Sequence, residues 1–132
     1  ILIANGTKDS LMPYDGGVVA RGRGEVVSTD ETVDWWIDAN GAERGEMLSR
    51  ELPDLDKEDS CRIYEEFYPA SEGGAPVRFY RMEGGGHTLP GLSTEGMIQR
   101  LLLRLLGPVC KDVDGVLLAW DFFKEVSPSK VP

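Results

Sequence analysis

Ile1-Leu2-Ile3-Ala4-Asn5-Gly6-Thr7-Lys8-Asp9 opens the chain. Four apolar residues without polar alternation predict a strand buried on both faces, as in a parallel sheet. Asn5-Gly6-Thr7, then Met12-Pro13-Tyr14-Asp15-Gly16-Gly17, are rich in turn formers and exclude helix. A strand that runs straight into a polar loop sets that loop at the carboxyl end of its sheet. Ligands bind there in open α/β folds. Asp9 lies on this loop.

Far downstream, Gly84-Gly85-Gly86-His87-Thr88-Leu89-Pro90-Gly91 holds the sole histidine. A strand over Val77 to Met82 delivers the chain to it. Three glycines let the backbone take positive φ and approach a neighbour closely. They also leave the imidazole unshielded, and an imidazole suits general-base work near neutrality. Such a base needs a carboxylate to hold its tautomer. Asp9 is the candidate acid. Asp15 competes, but a Tyr-Asp-Gly-Gly turn favours Asp for conformational reasons alone. The structural alternatives are an Asx turn at Asp9 and a hydrogen-bonded loop histidine at 87.

Acid before base is the order of a triad whose nucleophile precedes both. No serine here is a credible nucleophile. Gly91-Leu92-Ser93-Thr94-Glu95 approximates the elbow G-x-S-x-G but lacks the last glycine, and Ser93 reads as a helix cap. Without nucleophile or oxyanion donors, residues 1–132 alone are expected to be inactive.

Between the two loops, Ser28-Thr29-Asp30-Glu31 is a capping box that starts a helix ending at Asn40-Gly41. Val33, Trp36 and Ile37 share one face of it. Met47 to Leu52 and Cys61 to Tyr68 predict two strands joined by an acidic turn. Ala70 to Pro76 is a Gly/Pro turn. Ser93 to Leu106 predicts a helix with the stripe Met97, Ile98, Leu101, Leu102 and Leu105. Gly115 to Val126 predicts another, apolar at Val116, Ala119, Trp120 and Phe123. This order suits an α/β sheet, mostly parallel and flanked by helices, with a small β-hairpin insertion.

Asp54-Leu55-Asp56-Lys57-Glu58-Asp59 with Glu65 distantly echoes a calcium loop, but Asp59 stands where that loop needs glycine. An acidic hairpin turn accounts for it, and no metal is expected. One histidine and the distant Cys61 and Cys110 cannot build a zinc site. The two cysteines are read equally as free thiols or as one disulfide. A net charge of −9 argues against nucleic acid and against anionic membranes. The apolar run Leu101 to Leu106 is interrupted by Arg104 and no run is long enough to span a bilayer, so no membrane insertion is expected.

Gly6-Thr7-Lys8-Asp9, Pro13-Tyr14, Gly16-Gly17, Glu31-Thr32-Val33, Trp36, Asn40-Gly41, Gly84 through Thr88, Pro90-Gly91 and Trp120-Asp121-Phe122-Phe123 form an ordered series. Together they resemble the C-terminal half of the polyhydroxybutyrate depolymerase and feruloyl esterase family of α/β-hydrolases. The resemblance implies a serine carboxylic ester hydrolase without cofactor, secreted or periplasmic, acting on a polyester or an aromatic ester. It implies Asp9 as triad acid, His87 as base, and substrate contacts at Leu89 and Tyr14. Leu89 replaces the family's usual Trp, and Ala42 replaces a common Cys. The stretch Met97 to Val113 also departs from the family pattern.

On this reading residues 1–132 are the C-terminal portion of a catalytic domain. The expected partner is the missing N-terminal half, which would carry the nucleophile, or a second copy. A peptidase or thioesterase on the same fold is the alternative within enzymes. A non-catalytic binding or assembly domain is the alternative outside them.

Overall fold

The computed structural model describes residues 1–93 and 95–127. Six strands and three helices form in chain order: β1 (Leu2–Gly6), β2 (Gly17–Val18), β3 (Glu25–Val26), α1 (Thr29–Asn40), β4 (Leu48–Glu51), β5 (Arg62–Tyr68), β6 (Val77–Glu83), α2 (Met97–Leu106) and α3 (Gly115–Val126). Four strands make the main sheet in the order β1-β6-β5-β4, and β2 pairs with β3 in a separate two-stranded ribbon.

The expectation of a mostly parallel α/β-hydrolase half-sheet is overturned. Only β1 and β6 run parallel, with Leu2 opposite Arg78 and Gly6 opposite Met82. The pairs β5–β6 and β4–β5 are antiparallel. The reason lies in the connections. Ala70 to Pro76 and the acidic turn before Cys61 are too short for a crossover, so each returns the chain beside itself. The hairpin read as a small insertion, β4 with β5, therefore makes up two of the four strands of the sheet.

Strand alternation sorts β6 onto two cores. Val77 and Phe79 face α1, where they meet buried Val33 and Ile37, with Ile1, Ile3, Tyr14 and Trp36 around them. Tyr80 and Met82 face the other side, with Cys61, Ile63 and Cys110. Leu2, Ala4 and Leu118 complete that layer. Burying a side chain such as Ile37 or Ile63 contributes about 1.5–3 kcal/mol. Strand β1 feeds both cores, as its apolar run requires, yet its residues before Gly6 are only half-buried. It is the outermost strand of the sheet, so one side of it has no neighbour among the described residues.

Helix α1 follows its sequence signals. Ser28 Oγ accepts from the Glu31 amide, and the Glu31 carboxylate accepts from the Ser28 amide. Gly41 ends the helix at φ 61°, ψ 44°. The Ser28 contacts hold the Glu31 carboxyl below its ordinary range.

The later helices depart from their patterns. Helix α2 starts at Met97 rather than Ser93, because Gly96 at φ 94° breaks the run. The Ser93 hydroxyl instead accepts from the Glu95 amide at 3.3 Å, and Thr94, within the expected helix, lies outside the described residues. The α2 stripe turns outward, leaving Met97 85% and Leu101 66% exposed. On α3 the inward residues are Leu118 and Phe122, while Val116, Trp120 and Phe123 are exposed. That helix is apolar almost all round, so its pattern selects no face. Its orientation is fixed by the Asp114 cap, which receives the Val116 and Leu117 amides, and by Gly115 seated against Leu89 and Pro90.

Candidate active site

The parallel pair β1–β6 brings two distant loops to one end of the sheet. After β1, the Thr7 amide donates to Met82 O at 3.0 Å and the Lys8 amide to Gly85 O at 2.8 Å. After β6, Gly84 turns at φ 85° and its amide donates to Thr7 Oγ1 at 3.0 Å. The loops cross at Gly6, where a Cβ would collide with the Gly85 and Gly86 carbonyls. This close approach is what the glycines supply.

Asp9 and His87 meet at that crossing. His87 Nδ1 lies 2.7 Å from Asp9 Oδ2. A carboxylate only accepts, so Nδ1 carries the proton and donates. The other oxygen, Oδ1, accepts from the Leu11 and Met12 amides, each at 2.8 Å. These bonds close an Asx-type turn and fix the carboxylate's orientation. The Asp9 side chain is 6% exposed and the His87 side chain 47% exposed. Buried acid and open base is the arrangement that orients an imidazole and leaves its far nitrogen to the solvent side. Nε2 makes no hydrogen bond to any described residue.

The His87 loop is received by residues 106–110. The His87 amide donates to Leu106 O at 2.6 Å, and the Gly86 amide to Pro108 O at 2.8 Å. Thr88 Oγ1 donates to Pro108 O at 2.9 Å. The Gly91 amide donates to Cys110 O at 2.8 Å. These acceptors are all backbone carbonyls, so no side-chain pattern in the sequence announces this role.

A cleft of about 390 Å³ opens over the pair, lined by Asn5, Met12 and Leu89 beside Asp9 and His87. Leu89 therefore stands at the cleft, 47% exposed. Tyr14 does not line it. Its hydroxyl donates to Asp30 Oδ1 at 3.0 Å, and its ring lies against the α1 core. Burial and the Asp30 carboxylate raise the Tyr14 phenol above its ordinary range. Asp15 is exposed in the turn closed by the Gly16 amide on Pro13 O. The cleft lining contains no serine or cysteine among the described residues, and its one hydroxyl side chain, Thr88, is committed to Pro108.

The remaining candidates find other partners. Asp54 pairs with Arg62 at 2.9 Å, and Asp56 with Lys111 at 3.1 Å. Asp59 accepts from the Cys61 and Lys111 amides. Glu65 is buried in the sheet, where Tyr80 donates to it at 2.9 Å and Arg50 and Arg78 pair with it. Among the described residues no group of three or more His, Cys, Asp or Glu converges as a metal site. Cys61 and Cys110 form a disulfide. No described helix is long and apolar enough to cross a membrane.

Compared with family models, with curated proteins and with solved structures, the chain finds no match.

Proposed function

We propose that Asp9 and His87 are the acid and base of a serine carboxylic ester hydrolase whose nucleophile comes from polypeptide outside residues 1–132. The observation that carries this reading is the 2.7 Å contact from His87 Nδ1 to the buried carboxylate of Asp9, with Nε2 bonded to no described residue beside an open cleft. In such a reaction Nε2 takes the serine proton as the hydroxyl attacks the ester carbonyl. It then returns that proton to the leaving alcohol. Asp9 holds the tautomer and stabilises the transient imidazolium. Apolar Leu89 and Met12 beside the base suit the acyl or aryl portion of a polyester or aromatic ester. Export to the periplasm or the exterior is part of the same proposal, since a disulfide persists in oxidising compartments.

One observation favours a second reading. Among the described residues the cleft lining offers no serine or cysteine nucleophile, which is also what a non-catalytic binding domain would present. Labelling separates the two. The chain is purified from its native cells with whatever polypeptide accompanies it, and treated with a fluorophosphonate. The expected result is a labelled serine outside residues 1–132 and hydrolysis of nitrophenyl butyrate or methyl ferulate. His87→Ala should lower kcat/KM by about three orders of magnitude or more. A fully active His87→Ala protein, or a labelled serine within residues 1–132, overturns the proposal.

A further inference from the structure

The loop that carries His87 hangs on a segment with little regular structure of its own. Four hydrogen bonds join residues 86–91 to Leu106, Pro108 and Cys110, and residues 107–111 belong to no helix or strand. What joins that segment to the sheet is covalent. Cys110 is bonded to Cys61, which immediately precedes β5 and is buried with Ile63, Tyr80 and Met82. The disulfide lies directly beneath the glycine loop, since a Cβ on Gly85 would stand 2.9 Å from Cys110 Sγ. Noncovalent ties flank it. The Lys111 amide donates to Asp59 Oδ2 at 2.7 Å, and Asp112 Oδ1 accepts from the Leu55 and Asp56 amides at 2.8 and 3.0 Å.

We infer that the Cys61–Cys110 disulfide is a positioning element for His87, holding the imidazole at bonding distance from Asp9. A dithiol undoes it in balanced steps. One thiolate attacks a cystine sulfur and forms a mixed disulfide. The second thiol displaces the remaining cysteine. Two electrons and two protons pass to Cys61 and Cys110, and the dithiol leaves as a cyclic disulfide. Both sulfurs are buried, so reduction requires local opening of residues 107–111. Once reduced, the segment keeps its carboxylate ties and the sheet stays folded. The His87 loop loses its floor, and the contact with Asp9 loosens.

The consequence for rate rests on the proposed role of His87 as base. The positional claim does not. The test is therefore made first by NMR on the chain itself, following the far-downfield Nδ1–H proton of His87 and the methyl resonances of Val33, Ile37 and Val77. Dithiothreitol should abolish the His87 resonance and leave the methyl dispersion intact, and the double variant Cys61→Ser/Cys110→Ser should match the reduced protein. In the hydrolytic complex kcat should fall about ten- to hundred-fold with KM little changed, as for a slightly misplaced catalytic group, and reoxidation should restore it. A His87 resonance that survives reduction overturns the inference. So does collapse of the methyl dispersion, which would assign the disulfide to global stability. Loss of the resonance in a protein without hydrolytic activity would uphold the positional claim and reject the esterase reading.

Discussion

Asp9 divides its carboxylate between two tasks: Oδ2 receives His87 Nδ1 at 2.7 Å, while Oδ1 receives the amides of Leu11 and Met12. The loop that positions the acid is thus closed by the acid itself.

Asp9→Asn separates the two tasks. The amide oxygen can still close the turn at the Oδ1 position. The amide nitrogen then faces His87 as a donor, and two donors cannot bond. The imidazole proton is expected to move from Nδ1 to Nε2, read from its ring nitrogen-15 shifts. In the hydrolytic complex kcat should drop about 10³–10⁴-fold with little change in melting temperature. An unchanged tautomer would show that Asp9 does not set it.

Alkaline pH should destabilise the fold through buried phenols. Burial and the neighbouring Glu65 carboxylate push Tyr80 up to about 12. The folded state therefore holds this proton more tightly than the unfolded chain, whose tyrosines titrate near 10. The stabilisation is complete below pH 10, declines as the unfolded state ionises, and is gone above pH 12. Tyr14 and Tyr68 are raised also, each by burial and a carboxylate partner. Denaturant midpoints should fall between pH 10 and 12, and Tyr80→Phe should flatten that fall. An equal slope in the variant would remove Tyr80 from the account.

Self-association is expected of the isolated chain. Met97, Ile98, Leu101, Leu102 and Leu105 on α2, with Val116, Trp120 and Phe123 on α3, are exposed. Apolar surface on this scale marks an interaction site. Light scattering should report a mass that rises with concentration, and Ile98→Glu with Leu101→Glu should lower it. A monodisperse monomer at every concentration contradicts this.

The elements governed by local signals were legible in the sequence. Ser28 and Glu31 set the start of α1, Gly41 set its end, and the glycine run before His87 announced a close backbone approach. The meeting of Asp9 with His87 was also within reach, because strand ends and loop chemistry pointed both residues to one place. Strand direction in the sheet was not. The short links around β5 force antiparallel pairing, whereas the apolar run Ile1 to Ala4 reports only on β1 and its parallel partner β6. Tyr14 was placed by its position in a motif, whereas its hydroxyl is taken by Asp30. The inward face of α3 could not be chosen from a helix apolar on nearly every side, and the cradle at residues 106–110 carries no pattern at all, since its work is done by backbone carbonyls.

The parallel pairing of β1 with β6 has a consequence in time. β5 and β6 are close in sequence and can zip together early. β1 must wait until the long intervening chain has closed on itself, which carries a larger entropic cost. Asp9 and His87 stand 78 positions apart and belong to opposite sides of that last closure. Their hydrogen bond is absent from every partly assembled state in which β1 is still free. The pair therefore serves as a signature of completed folding, and a chain caught midway would possess a sheet, a helix and a histidine, but no oriented base.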